Sequence, residues 1–408
     1  MPTDVPAPTA DLALRGTAVL EQGLVPEALV LCAGQRILWA GPAEQVPAEL
    51  DPAHGAVRTL DHDGLILPGL VDLHCHGGGG ASFPDSPTAE EMLTAVHEHR
   101  RHGTTSLVAS LVTADAATLR DRVAQLARLH RDGEIAAIHL EGPFLSEARR
   151  GAQNPAHLTD GDPELVRELA EIADGALATM TLAPEAERAD EVIDALAESG
   201  ALPSLGHTDG GSAEMTRAVG RSLAALRRAR GRSPLPTATH LFNGMRPIHH
   251  RDPGPALAAL DAAGRGELVV EVIADGVHLD ARTVAHVFSL AAEDCVVLVT
   301  DAMAAAGMAD GRYRLGALDV TVEDGVAALT EGGAIAGGTA HLVEVLRHAV
   351  LEAGVDLVAA VRAASTVPAR VLGLQDEIGA LAAGRRADVL LVDRALRPVA
   401  VLRGGREI

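Results

Sequence analysis

The chain contains no lysine: all 34 of its basic side chains are arginine. Schiff-base chemistry, a phosphate-binding lysine of the Walker type and a carboxylated-lysine bridge between metal ions are therefore excluded by composition. Aromatic residues make up only 1% of the 408 residues, so stacking platforms for bases or sugars are scarce. Cysteine is nearly absent as well. Cys32, Cys75 and Cys295 are odd in number and far apart, which suits a reducing cytoplasm better than a disulfide framework. No apolar run is long enough to span a membrane. The opening MPTDVPAPTADLALRG lacks a basic region followed by an apolar stretch, so no signal peptide is expected. A net charge of −22 argues against a nucleic-acid partner, which requires a basic face. An anionic substrate must instead be drawn in by local Arg or His, against the field of the whole molecule.

What remains is ordinary globular composition, 47% hydrophobic and 22% charged. The N-terminal segment reads as short strands and turns (LALRGTAVL, EALVLCAG, RILWAGP, HDGLILPG). From residue 69 the texture changes to apolar strands alternating with amphipathic helices. The strands are GLVDLHCH, TTSLVAS, AAIHLEGP, LATMTLAPE, LPSLGHTD, TATHLFNG, LVVEVIADG and CVVLVTDA. Helix starts lie between them: Thr88 three before Glu91, a capping box, and Asp162 followed by Pro163. Near-continuous apolar strands separated by helices imply a buried parallel sheet, and eight such units imply a closed (β/α)8 barrel of the TIM type. An open doubly wound sheet is the competitor, but no G-x-G-x-x-G opens the first unit. YRLGALDVTVEDGVAALTEGGAIAGG reads as a hairpin insertion before the final helix, and the C-terminal stretch returns to strands and Gly turns. The expected organisation is α/β: a barrel over residues 68–377 and a small β-sandwich domain built from both chain termini, 1–67 and 378–408.

In such a barrel the functional residues gather at the C-terminal ends of the strands. Strand one ends in VDLHCHGGGG. Its His74 and His76, two apart on a strand, point the same way. The glycine run also allows an esterase-type oxyanion loop, but no G-x-S-x-G nucleophile elbow accompanies it. Strand three ends in Glu141, strand five in His207, strand six carries His240 and strand eight ends in Asp301. Singly, a histidine at a strand end is more often a hydrogen-bonded structural residue than a ligand, and an acidic residue there is commonly a helix N-cap. Together, four histidines and two carboxylates at equivalent strand ends point to a metal. Glu141, His207 and His240 supply one site, and His74, His76 and a shared Glu141 oxygen a second. Imidazole and carboxylate suit zinc first, with Fe, Co, Mn and Ni also compatible. A bound cation lowers the pKa of water to about 7, and Asp301 is placed to act as general base and then general acid. His97, His99 and His102 read as a solvated helical face, His249 and His250 as loop, and Cys75 as packing.

The segments PGLVDLHCHG, HLEGPFL, TLAPE, LGHTD, THLFNGMRP, ADGVH and LVTDAMAAAG occur in this order. Together with the tail GALAAGRRADVLLVD, they resemble the N-acetylglucosamine-6-phosphate deacetylases of the amidohydrolase superfamily over nearly the whole chain. The resemblance implies hydrolysis of an N-acetyl group from a phosphorylated amino sugar, one or two divalent metals per subunit, and Asp301 as the catalytic aspartate. It also implies substrate contacts from Ala152, Gln153, Asn243, Gly244, His278 and the loop Ile335, Ala336 and Gly337. A homodimer is expected in which Arg251 reaches the phosphate of the neighbouring subunit. Gln153 stands where the resemblance expects a histidine that donates to the acetyl carbonyl, and its NH₂ group can also donate. A hydrolase for another amide and a barrel scaffold without catalysis are the alternatives.

Overall fold

The computed structural model describes residues 9–52 and 57–408. Residues 1–8, which open both the expected terminal domain and the stretch inspected for a signal peptide, lie outside the described residues. Eight parallel strands form one sheet in chain order: Leu70–Cys75, Thr104–Leu111, Ala137–Glu141, Leu177–Leu182, Leu202–Leu205, Thr237–Ala238, Val269–Val272 and Val296–Leu298. Helices cover the outer face of the strands while side chains fill the inner one, so strands such as Leu70–Cys75 and Thr104–Leu111 are buried at every position. The ring closes just beyond the eighth strand. There the Asp301 N–H donates to the His74 carbonyl (2.9 Å) and the His76 N–H to the Ala302 carbonyl (2.7 Å).

The connecting helices begin where their sequence signals lie. Thr88 accepts from the Glu91 N–H (3.2 Å) and caps Ala89–Arg101. Asp162 accepts from the Glu164 and Leu165 N–H groups and precedes Pro163–Ala173, whose Leu165, Val166 and Leu169 face the core. One expectation fails here. His99 is fully buried rather than part of a solvated face, and its Nε2 donates to the Gly77 carbonyl (2.9 Å). The helix packs onto the glycine run, and a Cβ on Gly78 would lie 2.7 Å from His99 Nε2. The run thus admits a buried ring. His97 alone of the three histidines is exposed.

Both termini contribute to a separate seven-stranded sheet. The strand Arg58–Pro68 sits within it, parallel to Leu12–Leu20 on one side and antiparallel to the C-terminal Val389–Val392 on the other. Leu12, Leu14, Val30, Ile66, Val389 and Leu402 share its core, so the last residues of the chain are packed on the first described ones. The insertion forms the antiparallel strands Gly311–Leu315, Leu318–Glu323 and Val326–Leu329. Val320, Val322 and Ala336 pack with Met303 beneath it, and Leu315, Ile335 and Gly337 reach the wall of the cavity at the barrel mouth.

Candidate metal centre

The six strand-end residues converge. Glu141 Oε1 lies 2.9 Å from His207 Nε2 and 2.9 Å from His240 Nε2, and those two nitrogens are 3.1 Å apart. The other carboxylate oxygen, Oε2, is 3.1 Å from His76 Nε2 and 3.9 Å from His74 Nε2. His74 and His76 bring their Nε2 atoms to 3.0 Å, and Asp301 Oδ1 lies 3.3 and 3.2 Å from them. Glu141 therefore joins two triangles of ligand atoms, one through each oxygen. All six residues are buried, Asp301 least so.

Hydrogen bonds on the far side of each ring decide what those Nε2 atoms are. His76 Nδ1 donates to the Ser110 carbonyl (3.1 Å), His207 Nδ1 to the Arg149 carbonyl (2.8 Å) and His74 Nδ1 to Glu271 Oε2 (3.2 Å). The two carbonyls carry no hydrogen and Glu271 Oε2 already accepts the His240 N–H, so each ring, when neutral, presents a bare lone pair at Nε2. In the His74–His76 pair two such lone pairs face each other at 3.0 Å. A cation between them reconciles the contact. Metal bonds of about 2.0–2.2 Å put tetrahedral ligand atoms about 3.3 Å apart, close to the spacings found. Without a cation, protons compensate the same negative surroundings. Burial disfavours charge on His74 and His76, yet Asp301, Glu141 and, at His74, Glu271 outweigh it and raise the two rings to about 10 and about 9. Burial also works against ionised Glu141 and Asp301, but the surrounding imidazoles hold both below the usual carboxylate range. The residues fit a divalent cation, and the cluster is a trap for positive charge.

The backbone at this mouth is bent to the same end. His207, His240 and Asp301 have φ of +47°, +26° and +47°, the left-handed region that non-glycine residues rarely enter and that concentrates at functional sites. The sixth strand stops at Ala238, so His240 projects from a turn rather than from the strand that sequence assigned to it. Gly244 (φ +59°) allows close approach: a Cβ there would lie 2.8 Å from His207 Nδ1.

A cavity of about 260 Å³ opens above the cluster. Ala152, Gln153, Asn243, Gly244, His278, Ile335 and Gly337 line it together with His76, Glu141, His207, His240 and Asp301. Ala336 is instead buried under the hairpin. His278 Nδ1 pairs with Asp275 Oδ2 at 2.7 Å. Burial opposes charge on His278, but Asp275 raises its pKa. Gln153 Nε2 donates to Glu141 Oε2 (2.6 Å). Arg251 is exposed beside His249 and His250 and lies off the cavity wall, which carries no arginine.

Sequence reasoning missed Asp72 and Glu271. Asp72 accepts from the backbone N–H of His74 (3.2 Å) and from the Thr300 hydroxyl (2.6 Å), and Glu271 accepts from the His240 N–H (3.3 Å) as well as from His74. The signal was present: each is the lone carboxylate of its barrel strand.

Comparison with known proteins shows the family. The Amidohydrolase family model matches residues 65–408. The N-acetylglucosamine-6-phosphate deacetylase of Bacillus subtilis is 32% identical over 81% of this chain and 81% of its own length. The human protein of that name is 35% identical over 81% and 80% of the two chains. An Escherichia coli N-acetylgalactosamine-6-phosphate deacetylase is 32% identical over 87% and 90%. Among solved structures, a mutant N-acetyl-D-glucosamine-6-phosphate deacetylase from Mycobacterium smegmatis, in complex with N-acetyl-D-glucosamine-6-phosphate, superposes with a TM-score of 0.87 at 38% identity over 98% and 99% of the chains. The buried Glu141-linked cluster at the mouth of a (β/α)8 barrel thus sits in a chain that belongs to the amidohydrolase family.

Proposed function

We propose that this chain hydrolyses the N-acetyl group of N-acetyl-D-glucosamine 6-phosphate, giving D-glucosamine 6-phosphate and acetate. The observation that carries the reading is Glu141 shared between two histidine pairs, with Asp301 Oδ1 beside the His74 and His76 pair. Glu141, His207 and His240 would hold one divalent cation and His74, His76, Asp301 and Glu141 a second, with zinc as first choice. The bound cation supplies Lewis acidity that activates water and polarises the amide. Asp301 takes the proton of the attacking water and returns it to the leaving amine. His278, held by Asp275, and Asn243 and Gly244 orient the sugar.

The cavity wall carries no arginine for a phosphate. That supports a homodimer in which the exposed Arg251 of one subunit reaches the site of the other. A cytoplasmic setting is in keeping with three buried cysteines that form no disulfide. Among the described residues no helix is long and apolar enough to cross a membrane.

An acetate-release assay compares N-acetylglucosamine 6-phosphate with its galacto and manno epimers and with the unphosphorylated sugar. Fastest turnover of the gluco phosphosugar is expected. Preference for an epimer, or for a substrate lacking the phosphate, overturns the assignment of substrate. No acetate from any of them, with metal bound, overturns the assignment of reaction.

A further inference from the structure

Gln153 belongs to a closed ring of hydrogen bonds with Glu141 and Thr113. The Thr113 N–H donates to Gln153 Oε1 (2.7 Å), Gln153 Nε2 donates to Glu141 Oε2 (2.6 Å), and the Thr113 hydroxyl donates to the Glu141 carbonyl (3.1 Å). The amide has one possible orientation. A backbone N–H can only donate, so the oxygen must face Thr113 and the NH₂ group must face the carboxylate. Gln153 and Glu141 are each 3% exposed, so water does not compete for either contact.

A carboxylate oxygen has two lone pairs. In Glu141, Oε1 is turned to His207 and His240 while Oε2 is turned to His76 and receives the Gln153 proton. We infer that Gln153 is a positioning residue for Glu141: it fixes the rotation of the carboxylate so that its two oxygens serve two separate cations, and it does so without a charge of its own. Its NH₂ group has a second hydrogen, so a contact with a bound acyl group is compatible with this role but does not define it. The inference rests on Glu141 being a cation ligand, as proposed above.

The test is metal binding, which involves no substrate. Metal-free wild-type protein, Gln153→Met (similar length, no donor), Gln153→Glu (same shape, an acceptor in place of the donor) and Gln153→His (an imidazole able to accept at one nitrogen and donate at the other) are titrated with Co²⁺. Calorimetry and the cobalt absorption spectrum follow binding. Loss of an outer hydrogen bond to a metal ligand typically weakens binding about 10–100-fold. That loss is expected for Gln153→Met and Gln153→Glu, chiefly in the ion held with His74 and His76, with recovery in Gln153→His. A wild type that takes only one ion overturns the two-cation arrangement. Wild-type affinity and spectrum in the Met and Glu variants, with only KM for the substrate raised, overturn the positioning role and leave Gln153 a substrate contact. Variants that show the metal effect, in a protein whose wild type releases no acetate, overturn the proposed function and leave this inference standing.

Discussion

His74 Nδ1 donates to Glu271 Oε2 at 3.2 Å, and the same carboxylate oxygen accepts the His240 backbone N–H at 3.3 Å. One buried acidic group on the seventh strand therefore sets the ring of a residue in one triangle and the backbone of a residue in the other. Glu271→Leu is expected to weaken metal binding and turnover about 10–100-fold, the usual effect of losing a partner behind a ligand. Metal analysis after equilibrium dialysis, with kcat measured at saturating metal, checks this; full occupancy at trace metal speaks against it.

Asp301→Asn keeps the shape of the side chain and removes the proposed base. A general acid–base group contributes about 10²–10⁴-fold to the rate, so kcat should fall by that much while KM stays within a fewfold. A steady-state comparison at fixed metal content decides; a change in KM alone would place Asp301 in binding and not in proton transfer.

Arg251→Ala should raise KM for the phosphorylated sugar at least tenfold, since a charge-assisted phosphate contact contributes about 1.5–3 kcal/mol. kcat should change little. Mixing Arg251→Ala with Asp301→Asn protein tests the shared site: only hybrid dimers hold one pocket with both groups intact, so at subsaturating substrate the mixture should exceed the sum of its parents. Absence of recovery in verified hybrids counts against a donated arginine.

The pH dependence of the metal-free protein follows from the raised His74 and His76, at about 10 and about 9. Groups that bind protons more tightly when folded add stability fully present below the unfolded value, about 6.5, and lost as pH rises through the folded values. The thermal midpoint of chelator-treated protein should therefore fall between pH 7 and 10. Adding Zn²⁺ near pH 7 should release protons, measurable by calorimetry in buffers of differing ionisation enthalpy. A midpoint that climbs over this window contradicts the assignment.

Gly244→Ala places a Cβ 2.8 Å from His207 Nδ1 at a backbone φ of +59°. A destabilisation of about 1–3 kcal/mol is expected from the left-handed conformation alone, with reduced metal affinity from the displaced ring. Denaturant melts and metal titration of the same preparation separate the two effects.

The barrel was legible because burial on both faces writes each strand as an apolar run, and because Thr88 and Asp162 mark helix starts by local hydrogen bonding. The cluster was legible because strand ends share one rim. The environment of His99 was not, since helical spacing beside Arg100 and Arg101 says nothing about a glycine run arriving from another element. Left-handed φ at His207, His240 and Asp301 was equally hidden: those side chains carry no local preference for it, and only the assembled rim imposes it. Glu271 was visible as an oddity within its strand, but its two partners lie 197 and 31 residues away in sequence.

The bonds that complete the circle of strands are made by the backbones of His74, His76, Asp301 and Ala302. The seam of the barrel and the seat of the proposed chemistry are thus one place. A chain that has not joined its first strand to its last holds Glu141, His207 and His240 on one arc and His74 and His76 on the far edge of an open sheet. On that assignment, the complete set of six side chains is assembled only by closure of the barrel.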